Sequence, residues 1–208
     1  MSTGRVVIFS GPSGVGKSTV LRQVLENHPD YFFSVSATTR APRPGETPGV
    51  SYHYITPEEF QDLLRQDALM EYNLYAGGDY YGTPAQPVYD VLARGGTAIL
   101  DVDPKGAAQV LARIPEAVTI FVAPPSMAEL RRRLESRGDT PQEKIAARLA
   151  QARWEIQQAK QYTYLVLNDS GGLARCIAQV EAILADLPEA QCCRYENNTN
   201  LPILKEVF

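Results

Sequence analysis

The chain has 208 residues, 44% of them hydrophobic and 21% charged, with a formal net charge of −4. Those values suit a soluble globular protein with one full core and room for an inserted subdomain, and the acidic balance disfavours a nucleic-acid binder. No apolar run approaches a membrane span, and Met1-Ser2-Thr3-Gly4-Arg5 leads straight into a strand rather than a signal peptide. The three cysteines, Cys176, Cys192 and Cys193, form neither a disulfide framework nor a zinc pattern, and point to a reducing, cytoplasmic setting.

In chain order, Val6-Val7-Ile8-Phe9 is predicted as a buried strand. Gly11-Pro12-Ser13-Gly14-Val15-Gly16-Lys17-Ser18 follows, then the helical spacing of Val20, Leu21, Val24 and Leu25, ending before Pro29. Phe32-Phe33-Ser34-Val35-Ser36 alternates as a strand with Ser34 and Ser36 on one face. It runs into the proline-stiffened loop Thr38 to Glu46, and a second strand is expected over about Val50 to Ile55. Thr56-Pro57-Glu58-Glu59 is a capping box for a helix carrying Phe60, Leu63 and Leu64. Short strands at Leu69 to Tyr75 and Asp79 to Tyr81 flank Gly77-Gly78. Thr83-Pro84-Ala85-Gln86 reads as a second capping box, opening a helix that stops at Gly95-Gly96.

Thr97 to Asp103 is then a strand and Gly106 to Ile114 a helix, followed by a strand at Val118 to Val122. Ser126 to Glu129 and Thr140 to Glu143 cap two more helices, reaching Leu134 and about Lys160. Tyr164 to Leu167 is the last predicted strand and Leu173 to Leu187 the last helix. From Pro188 the pattern decays, and Leu201-Pro202-Ile203-Leu204 either docks on the body or frays. Short apolar strands alternating with helices imply an α/β fold with a parallel sheet flanked by helices. The polar, tyrosine-rich stretch from Ser34 to Thr83 breaks that rhythm and reads as an inserted subdomain.

The glycine-rich stretch after the first strand has the strand, turn, helix context of a phosphate-binding P-loop. Its glycines let backbone N–H groups converge, and the helix start adds positive potential. Lys17 can reach β- and γ-phosphates and the Ser18 hydroxyl can ligate Mg²⁺. A turn with no ligand is disfavoured, because Lys-Ser after three glycines has little packing purpose.

Four further groups carry candidate chemistry. Ser36, Arg40, Arg43 and Tyr52 can present two guanidinium forks and two hydroxyls to one phosphate, or form a solvated basic loop. Glu71 and Thr83, with Tyr81 nearby, suit a guanine edge. On their own, Glu71 reads better as an ordinary surface acid and Thr83 as a helix cap. Asp101 and Asp103 end the central strand two apart and on one face, where they can hold Mg²⁺ through water or bind substrate. Arg131, Arg132, Arg133, Arg137 and Arg148 lie on a helix–loop–helix able to act as a lid, with Arg131 and Arg132 favoured as solvated. Neither His28 nor His53 falls at a catalytic point, and an acceptor that is itself a phosphate dianion needs no general base.

These residues resemble the guanylate kinases. The likeness spans Val6 to Leu187. It runs in order through the P-loop, Ser34-Val35-Ser36, the Thr38 to Glu46 segment, Gly49-Val50-Ser51-Tyr52, Glu71 and Tyr80-Tyr81-Gly82-Thr83. It continues through Asp101-Val102-Asp103, Pro124-Pro125-Ser126, Arg133-Leu134 with Arg137-Gly138, Arg148-Leu149 and Val166-Leu167-Asn168-Asp169.

The resemblance implies a kinase that transfers the γ-phosphoryl group of ATP to GMP with Mg²⁺, in purine nucleotide metabolism and GMP recycling. It implies a core at 1–33, 84–125 and 160–187, a GMP-binding subdomain at 34–83, a helical lid at 126–159 and a tail at 188–208. ATP would meet Gly11, Pro12, Ser13, Gly14, Val15, Gly16, Lys17, Ser18, Thr19 and Asn168. GMP would meet Ser36, Arg40, Arg43, Tyr52, Glu71, Tyr81, Thr83, Asp101 and Asp103. Lys17, Arg133, Arg137 and Arg148 would serve catalysis, and Ser18 would hold the metal, with Asp101 through water. Bound phosphates bridging arginines on separate elements would close the lid and subdomain over the core.

Three departures from the family pattern stand out. They are Pro104-Lys105, one extra residue near Gly77-Gly78-Asp79, and Ala37 in a commonly polar place. Two other classes compete: a non-catalytic interaction module of the same fold, opposed by the complete P-loop, and a kinase for another phosphorylated acceptor, opposed by the Glu71 and Thr83 pair.

Overall fold

A computed structural model describes residues 4–75, 77–136 and 142–208. Two compact units divide the chain, one made of the part up to Ile8 with Asp30–Val118, the other of Phe9–Pro29 with Thr119–Phe208. The boundary falls within β1 (Arg5–Ser10), the middle strand of a five-stranded sheet ordered β2-β7-β1-β8-β9.

In the first unit, β2 (Phe32–Phe33) pairs in parallel with β7 (Thr97–Asp101), Phe32 opposite Ala98 and Phe33 opposite Ile99. The strand expected to run on to Ser36 stops there. The chain leaves this sheet and re-enters structure as β3 (Ala37–Thr38) in a separate four-stranded sheet, ordered β4-β3-β6-β5. Ala37 packs there with Phe60 and Leu69 in a second small core, so a small apolar residue suits this place. The strand expected at Val50 to Ile55 shrinks to β4 (His53–Tyr54). Thr47–Ser51 closes a turn instead, with Val50 and Ser51 N–H groups both donating to the Thr47 carbonyl, and Val50 is left exposed. β5 (Leu69–Leu74) and β6 (Tyr80–Pro84) form an antiparallel hairpin that places Glu71 opposite Thr83.

The helices of this unit follow their caps. α2 (Pro57–Arg65) shows both halves of the expected capping box. α3 (Ala85–Ala93) does not, because Thr83 belongs to β6 and the cap position falls on Pro84, which has no side-chain donor or acceptor. α4 (Pro104–Arg113) begins two residues earlier than expected. Strand β7 ends at Asp101, and Asp103, read as a strand residue, is the N-cap, its carboxylate accepting from Gly106 N–H at 2.8 Å. Pro104 at the first helical position favours that start.

In the second unit, α1 (Lys17–Asn27) follows β1, and β8 (Val118–Ala123) pairs in parallel with β9 (Tyr164–Leu167). α5 (Met127–Ser136) and α6 (Gln142–Gln157) pack through Leu130, Leu134 and Ala152. Only half of the Ser126 box forms: Ser126 Oγ accepts from Glu129 N–H at 3.1 Å, while the Glu129 carboxylate is taken by Arg132, Arg133 and Ser170. The cap expected at Thr140-Pro141 lies outside the described residues.

α7 (Leu173–Leu184) ends short of Leu187, because Asp186 turns into the left-handed region at φ 52°. The chain beyond Pro188 is ordered rather than frayed, so α7 is not its last helix. Short 3-10 turns occupy Pro188–Cys193 and Tyr195–Asn197, and α8 (Pro202–Val207) buries Ile203, Leu204 and Val207.

Candidate active site

The loop after β1 gathers one cluster of candidate residues, inside the second unit. Gly11 sits where a Cβ would come within 2.3 Å of the Val122 carbonyl oxygen, so no side chain fits beside β8. Gly16 caps α1 at φ 93°, and a Cβ there would meet the Asn168 amide nitrogen at 2.5 Å. The loop between them is held by two side chains. Asn168 Nδ2 donates to the Val15 carbonyl at 2.8 Å, and Arg133 donates to the same oxygen at 3.0 Å.

Arg133 is committed three times, its other groups donating to the Asn168 carbonyl at 2.8 Å and to Glu129 at 2.8 Å. The three donors on Glu129 hold its carboxyl well below the usual carboxylate range. Gly14, Val15, Gly16, Thr19, Arg133, Ser136, Asn168 and Leu173 line a cavity of about 260 Å³. Lys17 is half-buried and Ser18 exposed on the first turn of α1, and Arg148 is half-buried on α6. Arg131 and Arg132 are exposed, as expected, and Arg137 lies outside the described residues.

The first unit holds a second cluster of candidate residues. Arg40 forms a two-pronged pair with Glu46, at 3.0 and 2.9 Å, while its Nε donates to the Tyr81 hydroxyl at 2.8 Å. Its guanidinium also lies over the Tyr52 ring, 5.4 Å from the centroid. Glu46 accepts in addition from the Tyr54 hydroxyl at 2.8 Å and from Arg43 N–H at 2.7 Å. Arg40 and these donors lower the Glu46 carboxyl to about 2. Glu46 is thus the hub of the loop, although the sequence reading assigned it no role. Arg43 is exposed, while Ser36 is half-buried and its carbonyl accepts from His53 N–H. Burial, followed by the charge of Asp101, pushes the Tyr52 phenol upward.

Glu71 is not a surface acid. It is 7% exposed, and the Thr83 hydroxyl donates to its Oε1 at 2.7 Å. Burial is the main cause that raises its carboxyl to about 7, with the charge of Asp103 adding to it. Thr83 is correspondingly no helix cap. The Asn73 amide and the Tyr75 hydroxyl both donate to Asp103 Oδ2 at 2.8 Å, and Tyr75 meets Tyr81 edge-on. Neither Asn73 nor Tyr75 was singled out in the sequence. The Gly77-Gly78-Asp79 segment closes the hairpin, Tyr75 N–H donating to the Asp79 carbonyl. Glu71 stays opposite Thr83 across that hairpin. Lys105 is exposed on the first turn of α4.

Among the described residues, no helix is long and apolar enough to cross a membrane. The family model for guanylate kinase matches residues 3–187. The guanylate kinase of Synechococcus sp. (strain JA-3-3Ab) is 44% identical over 181 residues, covering 87% of this chain and 82% of that one. The guanylate kinase of Thermosynechococcus vestitus is 48% identical over 166 residues, 80% and 86% of the two chains. Among solved structures, guanylate kinase from Anaplasma phagocytophilum superimposes with a TM-score of 0.73 at 32% identity, covering 98% of both chains. The mixed α/β fold with its parallel central sheet agrees with that neighbour. The chain therefore belongs to the guanylate kinase family, and is an ATP:GMP phosphotransferase that yields ADP and GDP.

Proposed function

We propose that each unit holds one nucleotide. In the first, Ser36, Arg40, Arg43 and Tyr52 bind the GMP phosphate with Tyr81 in support, Glu71 and Thr83 read the guanine edge, and Asp101 and Asp103 lie toward the acceptor. In the second, residues 11–19 cradle the ATP phosphates and Asn168 borders adenine. The division into a core (1–33, 84–125, 160–187), a GMP-binding subdomain (34–83) and a lid (126–159) belongs to the same proposal.

The observation that carries this reading is Glu71. A carboxyl enclosed to 7% exposure and raised to about 7, by burial and then by the charge of Asp103, costs stability when it ionises. Guanine presents two adjacent N–H donors, which an ionised carboxylate accepts together, whereas adenine presents a ring acceptor in that place. The hydroxyl of Thr83 fixes the plane of the carboxylate and offers its own oxygen as a neighbouring contact.

The chemistry asks little covalent work of the protein. The GMP phosphate is mostly a dianion at neutral pH and is itself the nucleophile, so no base is required. His28 is engaged with Glu181 at 3.1 Å and His53 is exposed in β4, which fits that account. Lys17, Arg137 and Arg148 neutralise charge on the transferring group and hold its oxygens in line, and Arg133 joins them with the N–H groups left over from its bonds to Glu129, Val15 and Asn168. Mg²⁺ supplies further neutralisation when bound with ATP. The hard oxygen donors Ser18 and Asp101, the latter through water, suit it, since Mg²⁺ keeps most of its waters and takes phosphate oxygens. The unpaired thiols of all three cysteines fit a cytoplasmic setting.

The test is a coupled assay of ADP formation with GMP, AMP, CMP and UMP. Glu71→Ala and Thr83→Val are each expected to lower kcat/KM for GMP by about tenfold or more, with the KM for ATP little changed. Unaltered selectivity in both variants would sink the guanine-reading assignment.

A further inference from the structure

The family model ends at Leu187, yet the last 21 residues of the chain are built into the second unit. Two of their attachments reach elements that carry the candidate ATP residues. At the first, Tyr195 N–H donates to the Thr163 carbonyl at 2.9 Å, and the Arg194 guanidinium lies 5.7 Å from the Tyr164 ring centroid. These contacts fix the tail at the start of β9, the strand that leads to Asn168.

At the second place, α8 is tied to both helices of the α5–α6 pair. Glu206 Oε2 accepts from the Met127 backbone N–H at 2.9 Å, which satisfies one of the orphan donors at the start of α5 and places a negative charge at its positive end. From α6, Arg153 donates to the Glu206 carbonyl and Gln157 donates to the Val207 carbonyl at 2.6 Å. Lys160 lies over the Phe208 ring. Ile203, Leu204 and Val207 are buried beneath these bonds.

What α5 carries makes that attachment consequential. Leu130 and Leu134 lie against Gly14, where an added Cβ would meet Leu134 at 2.8 Å. Arg133, on the same helix, donates to the Val15 carbonyl at 3.0 Å. A shift of α5 by a fraction of an ångström therefore moves both the wall and the tether of the P-loop.

We propose that α8 is a strap that sets α5 and α6 in register with the P-loop, and that Glu206 is a positioning residue for the ATP half of the site. It acts through α5 and touches no substrate. This rests on the assignment of ATP to residues 11–19, made above.

The test uses the full chain, the chain ending at Asn200, Glu206→Ala and Glu206→Gln, with Lys17→Ala as a control. Removing α8 is expected to raise the KM for ATP and lower kcat, each by about five-fold or more, the scale of a lost helix cap. The Kd for GMP is expected to stay within about two-fold, because the residues proposed to bind it belong to the other unit. Glu206→Ala should reproduce much of the ATP effect. Glu206→Gln, whose amide oxygen still accepts from Met127 N–H, should restore it.

Unchanged ATP KM and kcat in a folded truncated chain would overturn the proposal, as would a loss of GMP affinity equal to that of ATP. If the truncated chain does not fold, normal ATP kinetics in Glu206→Ala would overturn it instead. Failure of the underlying assignment shows separately, as normal turnover in Lys17→Ala.

Discussion

The Thr83 hydroxyl donates to Glu71 Oε1 at 2.7 Å, and the two residues are 1% and 7% exposed. This pair joins two facing strands inside the first unit, and its carboxyl is raised to about 7, chiefly by burial. If guanine N–H groups bind the ionised form, they must draw off the proton that burial favours. GMP affinity is therefore expected to fall by about tenfold from pH 8 to pH 6, as Glu71 in the free enzyme takes up its proton. Calorimetric titration across that range checks it. Glu71→Gln should flatten the profile above the titration of the phosphate itself, near 6.

The same shift has an opposite consequence for the unliganded fold. A carboxyl raised in the folded state contributes stability that is complete below its unfolded value, near 4.5, and is lost as pH rises through about 7. The loss is on the order of 3 kcal/mol. Chemical denaturation at pH 5 and pH 8 is expected to show it in the wild type, and Glu71→Gln should show much less of it.

Gly106 is the place to separate binding from folding. A Cβ there would stand 2.6 Å from Glu71 Oε2. Alanine is otherwise the better helix former by about 1 kcal/mol. Gly106→Ala is expected to leave the melting temperature within a few degrees and to weaken GMP binding by about tenfold or more, because the carboxylate must move aside. An unaltered GMP Kd would show that Glu71 is not where guanine is read.

Glu46 holds Arg40 by two bonds and gathers Tyr54 and the Arg43 backbone around it. Glu46→Ala is expected to raise the Kd for GMP by about tenfold and to leave the KM for ATP unchanged. Because the Glu46 carboxyl is lowered to about 2, the loop it organises is expected to hold above pH 4.5 and to loosen as pH falls from 4.5 toward 2. Tyrosine fluorescence against pH, compared in wild type and Glu46→Ala, follows it.

Arg133 makes three hydrogen bonds in a fixed fork, to Glu129, Val15 and Asn168. A lysine cannot span those three acceptors. Arg133→Lys is expected to raise the KM for ATP and cut kcat by about tenfold or more, measured in the coupled assay.

The parts of this site legible in the sequence were those whose chemistry is local in the chain. The P-loop places its glycines, lysine and serine within eight consecutive residues, so strand, turn and helix start could all be read together. No spacing marks Glu46 as the partner of Arg40, because only the fold of a loop with three prolines, Pro42, Pro44 and Pro48, brings it to that guanidinium. Asn73 and Tyr75 reach Asp103 across about thirty residues, and no spacing announces such a contact. Strand breaks were missed for a similar reason. Phe32 to Ser36 alternates well, but Phe33 and Ala37 serve two different sheets, and the switch is decided by tertiary packing rather than by period. Thr83 satisfied a capping pattern by type, yet the neighbouring strand claimed its hydroxyl.

The Val15 carbonyl takes two donors, Asn168 Nδ2 and Arg133 Nη1. A trans peptide unit is planar, with its C=O and the following N–H directed oppositely. Pinning the Val15 oxygen therefore also fixes the Gly16 N–H, which points away from those two donors and is left for a phosphate oxygen. The hollow keeps its shape through side chains of the protein itself, so an arriving triphosphate meets donors already oriented and little of its binding energy is spent on ordering them.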